Sequence, residues 1–379
     1  MDTVNRNLIS ERGETKLPGD VFCQPVITIE GGPIDSGLEL IGIPKLWEKT
    51  KGGYKDKEGK IRPVRIGFLD TGVDATHPAI TSRLAGAKDF TGSPYGTQDL
   101  HGHGTWVYSI CFGYTNDYEG ICTGGMGFMA KVLSDSGTGN NRAMYEGAKW
   151  LMEECGVDII SCSAGGMGLG SEFMELISTW TKKEHKAFFA SAGNNGQLGT
   201  DTMTEPAVYA PVISVGAADW QGNLQPFSSI GPALDLVAPG KDIIACIPIA
   251  KGGKGRMSGT SMACPIVAGI YALCLAKHLD IRTANATDLD TTADILEHLK
   301  RTCIDKGTGG RDDLYGYGMI DPVKLFQDME GKEAPPAPQP TDLPINGSVL
   351  FSFRPPSMSR YTLIETEQDI KVGSLVKLT

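Results

Sequence analysis

At 379 residues the chain can bury a large core, and one domain with appendages fits that length better than two equal domains. It is 40% hydrophobic and 21% charged with a net charge of -10, a balance that excludes a basic nucleic-acid binder or a protein drawn to anionic membranes. The opening MDTVNRNLISERGETK lacks the apolar core of a secretory signal, and no apolar run reads as long enough to span a bilayer.

Residues 1–35 are polar and loop-like. GLELIGIPKLWEKTKG then reads as a short amphipathic helix, and VRIGFLD, ending at Asp70, as a strand. From there strands and helices alternate. HGTWVYSICFG, NRAMYEGAKWLMEE and EFMELISTWTKKEHK are expected helices, while MAKVL, VDIISCS and AFFASAG are expected strands, and after PVISVGA the chain becomes more irregular. Such alternation implies a mostly parallel sheet covered by helices on both faces, an α/β three-layer fold. SMACPIVAGIYALCLAKH is apolar enough to be a buried central helix, and the globular pattern closes near MIDPVKLFQDME. The domain is accordingly drawn at 36–331, followed by a proline-rich linker at 332–343 and a β-rich tail at 344–379. Nine cysteines, an odd number with no CxxC pair, read as buried free thiols in a reducing compartment, so the cytoplasm is the expected location.

In an open parallel sheet, functional groups gather at the carboxyl ends of strands. Asp70 and Ser163 stand at two such ends, and Asn194 follows a third. Ser261 falls at the amino end of the long apolar helix, where unpaired N–H groups face whatever binds. A nucleophile, a carboxylate and an amide donor on one rim suit a hydrolase.

Four segments sharpen this reading. Asp70 lies in DTGVDATHP, His103 in GHGTWV and Ser261 in SGTSMACP, and AFFASAGNNG carries Asn194. In order and spacing they resemble the subtilase family, subtilisin-like serine proteases, over residues 36–331, closest in style to its intracellular members. The resemblance implies a subtilisin-like fold and a serine endopeptidase with Asp70, His103 and Ser261 as triad and Asn194 as oxyanion donor. It also implies protein or peptide substrates held as an extended strand between Ser136-Gly137-Thr138-Gly139 and Ser163-Ala164-Gly165. Ala164, Gly165, Ala192 and Gly193 are expected to line the pocket before the scissile bond. Glu205 either reaches that pocket and favours a basic residue, or is a solvated surface carboxylate.

Other readings stay open. An acyl-enzyme intercepted by an amine would make the chain a transpeptidase or macrocyclase, and a dead triad would leave a peptide-binding scaffold. No cofactor is required. The short segment GYTNDYEGICTG offers Asn116, Asp117 and Glu119 either to calcium or to a plain polar turn. His101 makes an H-x-H pair with His103 but lacks further ligands nearby, and Asp99 is expected to shape the cleft. Trp106, Tyr108 and Ser109 replace the family's usual small or histidine residues, which implies altered packing behind the base or a different neighbouring cleft wall. The amino-terminal stretch is too short for a folded chaperone prodomain, and Lys16-Leu17-Pro18 is expected to lie across the cleft as an inhibitor, or else to be a free terminus. The oligomeric state is not legible.

Overall fold

Residues such as Ile66, Phe68 and Leu69 in one strand, or Phe188 and Phe189 in another, leave no polar face, so each strand needs cover on both sides. A computed structural model provides that arrangement and describes residues 20–22, 26–28, 37–116, 118–183, 185–284 and 292–329. Seven strands form the central sheet in the spatial order Leu236–Pro239, Ile213–Ala218, Ala187–Ser191, Ile159–Cys162, Arg65–Asp70, Met126–Lys131, Leu84–Asp89. Every neighbouring pair is parallel.

The strand period of two splits the core into halves. Ile66, Phe68, Phe189, Val215 and Leu236 face one apolar cluster, which includes residues of the His103–Phe112 and Thr260–Ala284 helices. Leu69, Ile160, Phe188, Ala190 and Val237 face the other, with residues of the Asn141–Lys149 and Ser171–Thr181 helices. The expected three-layer fold is therefore present.

Details differ from the sequence reading. GLELIGIPKLWEKTKG is broken into a 3-10 turn, Leu38–Ile41, and a short helix, Ile43–Trp47, because Gly42 sits at φ +77 with Pro44 just after it. NRAMYEGAKWLMEE is helical to Lys149 and closes in a π turn, Trp150–Glu154. The helix expected to run to Lys186 stops at Thr181. Residues 1–35 are not wholly loop-like, since Asp20–Phe22 and Val26–Thr28 are strands. The linker, the tail and Lys16-Leu17-Pro18 lie outside the described residues.

Thr260–Asp280 is, by length and composition, apolar enough to cross a bilayer, contrary to the sequence reading; 89% of its most apolar window is buried inside the protein. It packs against five of the sheet strands and the His103 helix. Ile266 is fully buried at this junction. Ile266→Ala is expected to lower unfolding free energy by about 2–5 kcal/mol in urea titrations, and a loss below about 1 kcal/mol would contradict a tightly packed site.

Candidate active site

Asp70 is the last residue of its strand, and the chain then turns sharply through Thr71 and Gly72, at φ +107. His103 opens the next long helix. A Cβ on Gly104 would lie 2.0 Å from the Gly72 carbonyl oxygen, so the helix backbone rests directly on the turn after Asp70. Only glycine permits that approach. It brings His103 Nδ1 to 2.7 Å from Asp70 Oδ1, with both side chains wholly buried. A carboxylate can only accept, so Nδ1 carries the proton and Nε2 is left as the basic nitrogen. Asp70 Oδ1 also accepts from the Thr71 N–H at 2.7 Å.

Ser261 is second in its helix, with Pro265 four residues on. Proline has no N–H to give to the carbonyl four residues back, so the Ser261 carbonyl is released from the helix. The Ser163 hydroxyl donates to that carbonyl at 2.8 Å, and the Ser261 hydroxyl donates to the Ser163 carbonyl at 3.2 Å. Ser163 directly follows the strand paired with that of Asp70, in register Cys162 with Leu69. The reciprocal pair thus ties the nucleophile candidate to the sheet rim beside the carboxylate.

Asn194 follows the adjacent strand. Its Oδ1 accepts from the Thr260 N–H at 2.9 Å and the Thr260 hydroxyl at 3.0 Å, which fixes the amide and turns Nδ2 the other way. A Cβ built on Gly259 would stand 3.4 Å from Asn194 Nδ2 and 3.7 Å from the Ser261 backbone nitrogen, so both donors border one small space. Those are ordinary contacts, and Gly259 is less confined than Gly104.

The two expected substrate segments also meet. Thr138–Asn140 and Gly165–Gly166 flank a third, antiparallel strand, and that strand is Asp20–Phe22 of the same chain. Phe22 pairs with Thr138 and Gly165, Val21 with Gly139 and Gly166, and Val21 is buried. Val26–Thr28 then pairs with Lys254–Ser258, the strand leading into Ser261. Side chains at Gly139 or Gly165 would strike the Val132 carbonyl at 2.4 Å or the Thr204 hydroxyl at 2.7 Å, and Gly137 lies at φ +81. Ala164 and Ala192 are buried beside this seat, and Gly193 takes φ +111. Glu205 is half-buried. Its Oε2 accepts from the Leu169 N–H at 2.5 Å and the Tyr209 hydroxyl at 2.8 Å, and its backbone pairs with Gly166. Burial, and then the bond to Glu205, push the Tyr209 hydroxyl up from its ordinary value.

Asp99 does not shape the cleft. It is 1% exposed and bonded inward to Thr71, Gly102 and Thr105. His101 sits edge-on to His103 with ring centres 6.3 Å apart, and no group of three or more His, Cys, Asp or Glu suited to a metal stands among the described residues. Glu119 is engaged by Lys51 and by the Thr123 hydroxyl, while Asp117 lies outside the described residues. Trp106, Tyr108 and Ser109 are fully buried behind the base, Tyr108 against Phe68 and Phe112. The eight described cysteines are free and buried, and burial pushes the Cys264 thiol, one turn beyond Ser261, up to about 12.

One participant escaped the sequence reading. Lys131 is fully buried, donates to the Thr71 carbonyl and pairs with Asp135 at 3.0 Å. The only signal was a lysine inside the apolar run MAKVL.

Comparison with known proteins agrees with this geometry. The subtilase family matches residues 62–318. An intracellular serine protease of Paenibacillus polymyxa is 36% identical over 281 residues, covering 71% of this chain and 80% of that protein. The major intracellular serine protease of Bacillus subtilis (strain 168) is 30% identical over 314 residues, covering 79% and 94%. Subtilisin E from the same organism is 33% identical over 292 residues, covering 75% and 69%.

Proposed function

Since the chain belongs to the subtilase family and is a serine endopeptidase, we propose that Asp70, His103 and Ser261 are its catalytic triad, with Asn194 and the Ser261 N–H as oxyanion donors. The observation that carries this assignment is the 2.7 Å contact between a buried imidazole and a buried carboxylate on the rim that also holds Ser261.

The steps follow from the donors and acceptors present. The Ser261 hydroxyl leaves the Ser163 carbonyl for His103 Nε2, gives up its proton and attacks the peptide carbonyl carbon. Asp70 keeps the imidazole in its Nδ1–H tautomer and stabilises the imidazolium that forms. The oxyanion is met by Asn194 Nδ2 and the Ser261 N–H, whose positions around Gly259 support that pairing. His103 passes its proton to the leaving amine, and water repeats the sequence on the acyl-enzyme. Nucleophile, base and donors all come from the chain, so the reading needs no cofactor, and calcium at Asn116, Asp117 and Glu119 is no part of it.

Substrates are proteins or peptides, bound as a strand between Gly137-Thr138-Gly139 and Ser163-Ala164-Gly165. The seating of Asp20–Phe22 between these segments supports both that mode and an inhibitory role for residues 1–35. Val26–Thr28 pairs with Lys254–Ser258, the strand leading into Ser261, which supports the same role. The word intracellular in the names of two relatives, with the eight buried free thiols, supports a cytoplasmic location. Glu205 makes two hydrogen bonds through Oε2 and none through Oε1 among the described residues, which supports a carboxylate available to a basic residue before the scissile bond.

A fluorophosphonate probe is expected to label the wild-type chain and not Ser261→Ala. Asn194→Ala should keep the label but lose about 10²–10³ in kcat, the size of effect a side-chain oxyanion donor has in subtilisin; labelling of Ser261→Ala would sink the triad. Profiling on a peptide library is expected to favour Lys or Arg before the scissile bond, and a profile indifferent to both removes Glu205 from specificity. Deleting residues 1–30 should raise turnover of a short peptide substrate, and unchanged activity refutes inhibition by the amino-terminal segment.

A further inference from the structure

We propose that Asp99 is a positioning residue for His103, fastening the strand end that carries Asp70 to the helix start that carries the imidazole and placing a second buried negative charge behind the imidazolium. This rests on the triad reading above and adds a residue to it.

The geometry is a closed ring of bonds. Asp99 Oδ1 accepts from the Thr71 hydroxyl at 2.8 Å and the Gly102 N–H at 2.7 Å. Its Oδ2 accepts from the Thr105 N–H and the Thr105 hydroxyl, both at 2.7 Å. Thr71 Oγ1 in turn accepts from the Gly104 N–H at 2.8 Å, while the Thr71 N–H holds Asp70 Oδ1. One carboxylate therefore grips the residue after Asp70 and the residues on both sides of His103. An ordinary helix cap satisfies N–H groups of its own helix; here the cap position is Gly102, with no side-chain bond, and the carboxylate three residues earlier serves two elements at once.

Charge gives the second half of the argument. Asp99 is 1% exposed and makes no ion pair among the described residues. A buried carboxylate without a cation is costly unless hydrogen bonds and nearby positive potential sustain it. The helix amino terminus supplies part of that potential, and the imidazolium formed during each turnover supplies more. The other charged groups around His103 are Asp70 from its strand, His101 before the helix, Asp74 reached through Thr105, Lys131 beneath Thr71, and Lys251, whose stem lies by Gly102. The nearby Cys264 thiol stays neutral through burial. Removing the Asp99 charge leaves all of these in place and makes the imidazolium harder to form, so His103 must lose its proton at lower pH.

Three variants test this. Asp99→Asn should lower kcat about 10–100-fold with KM little changed and move the acid limb of kcat/KM downward by about half to one pH unit. Thr71→Val, which breaks the bridge and keeps the charge, should lower kcat with a smaller movement of the limb; Thr71→Ser, which keeps the hydroxyl, should restore wild-type behaviour. In the full-length Ser261→Ala chain, the far-downfield proton resonance of His103 Nδ1–H should persist with Thr71→Ser and shift or broaden with Asp99→Asn. If Asp99→Asn does not fold, judged by circular dichroism, Thr71→Val against Thr71→Ser reads the same link. Wild-type kcat and pH profile in Asp99→Asn, or wild-type kcat in Thr71→Val, overturns the proposal. Failure of the triad is a separate result, seen as fluorophosphonate labelling of Ser261→Ala.

Discussion

The site depends on one hydrogen bond formed out of reach of water, between His103 Nδ1 and Asp70 Oδ1. In bulk solvent an imidazole and a carboxylate gain little from meeting. With both side chains wholly buried, the same contact is strong, and misplacing either partner is costly. Much of the surrounding architecture can be read as a device for holding those two atoms together. The parallel sheet presents Asp70 at its carboxyl rim, Gly72 turns the chain, and the absent side chain of Gly104 lets the helix settle on that turn.

The sequence announced the chemistry more clearly than the scaffold around it. Strands such as VDIISCS and AFFASAG are short, mostly apolar runs with a glycine beside them and were legible for that reason, as was the alternation that implies a parallel sheet. The edge strand Leu84–Asp89 was not, because its LAGAKD sequence is half-exposed and short of β-branched residues. Gly42 and Pro44 cut an amphipathic pattern that a periodicity reading extends. Asp99 was misplaced because its sequence position, four residues before His103, says nothing about which way the carboxylate points. Its role arises from contact with Thr71, 28 positions earlier. Lys131 was missed on similar grounds: a lysine in an apolar strand looks like an edge residue until the Thr71 carbonyl and Asp135 are seen to meet it.

The seat of Asp20–Phe22 rests on backbone pairing at both of its edges. Main-chain groups at Thr138–Asn140 and Gly165–Gly166 pair on either side with Asp20–Phe22, an antiparallel strand of the same chain, which needs an extended backbone there more than any particular side chain.

Pro265 carries a consequence for how binding and reactivity communicate. By withholding an N–H it hands the Ser261 carbonyl to the hydroxyl of Ser163, whose own carbonyl receives the Ser261 hydroxyl. The peptide unit of Ser261 is thereby moored to the sheet rim at Ser163 as well as to the helix that bears it. Any shift of the Ser163 peptide is therefore carried to the Ser261 hydroxyl, so the strand end and the helix start move as one piece.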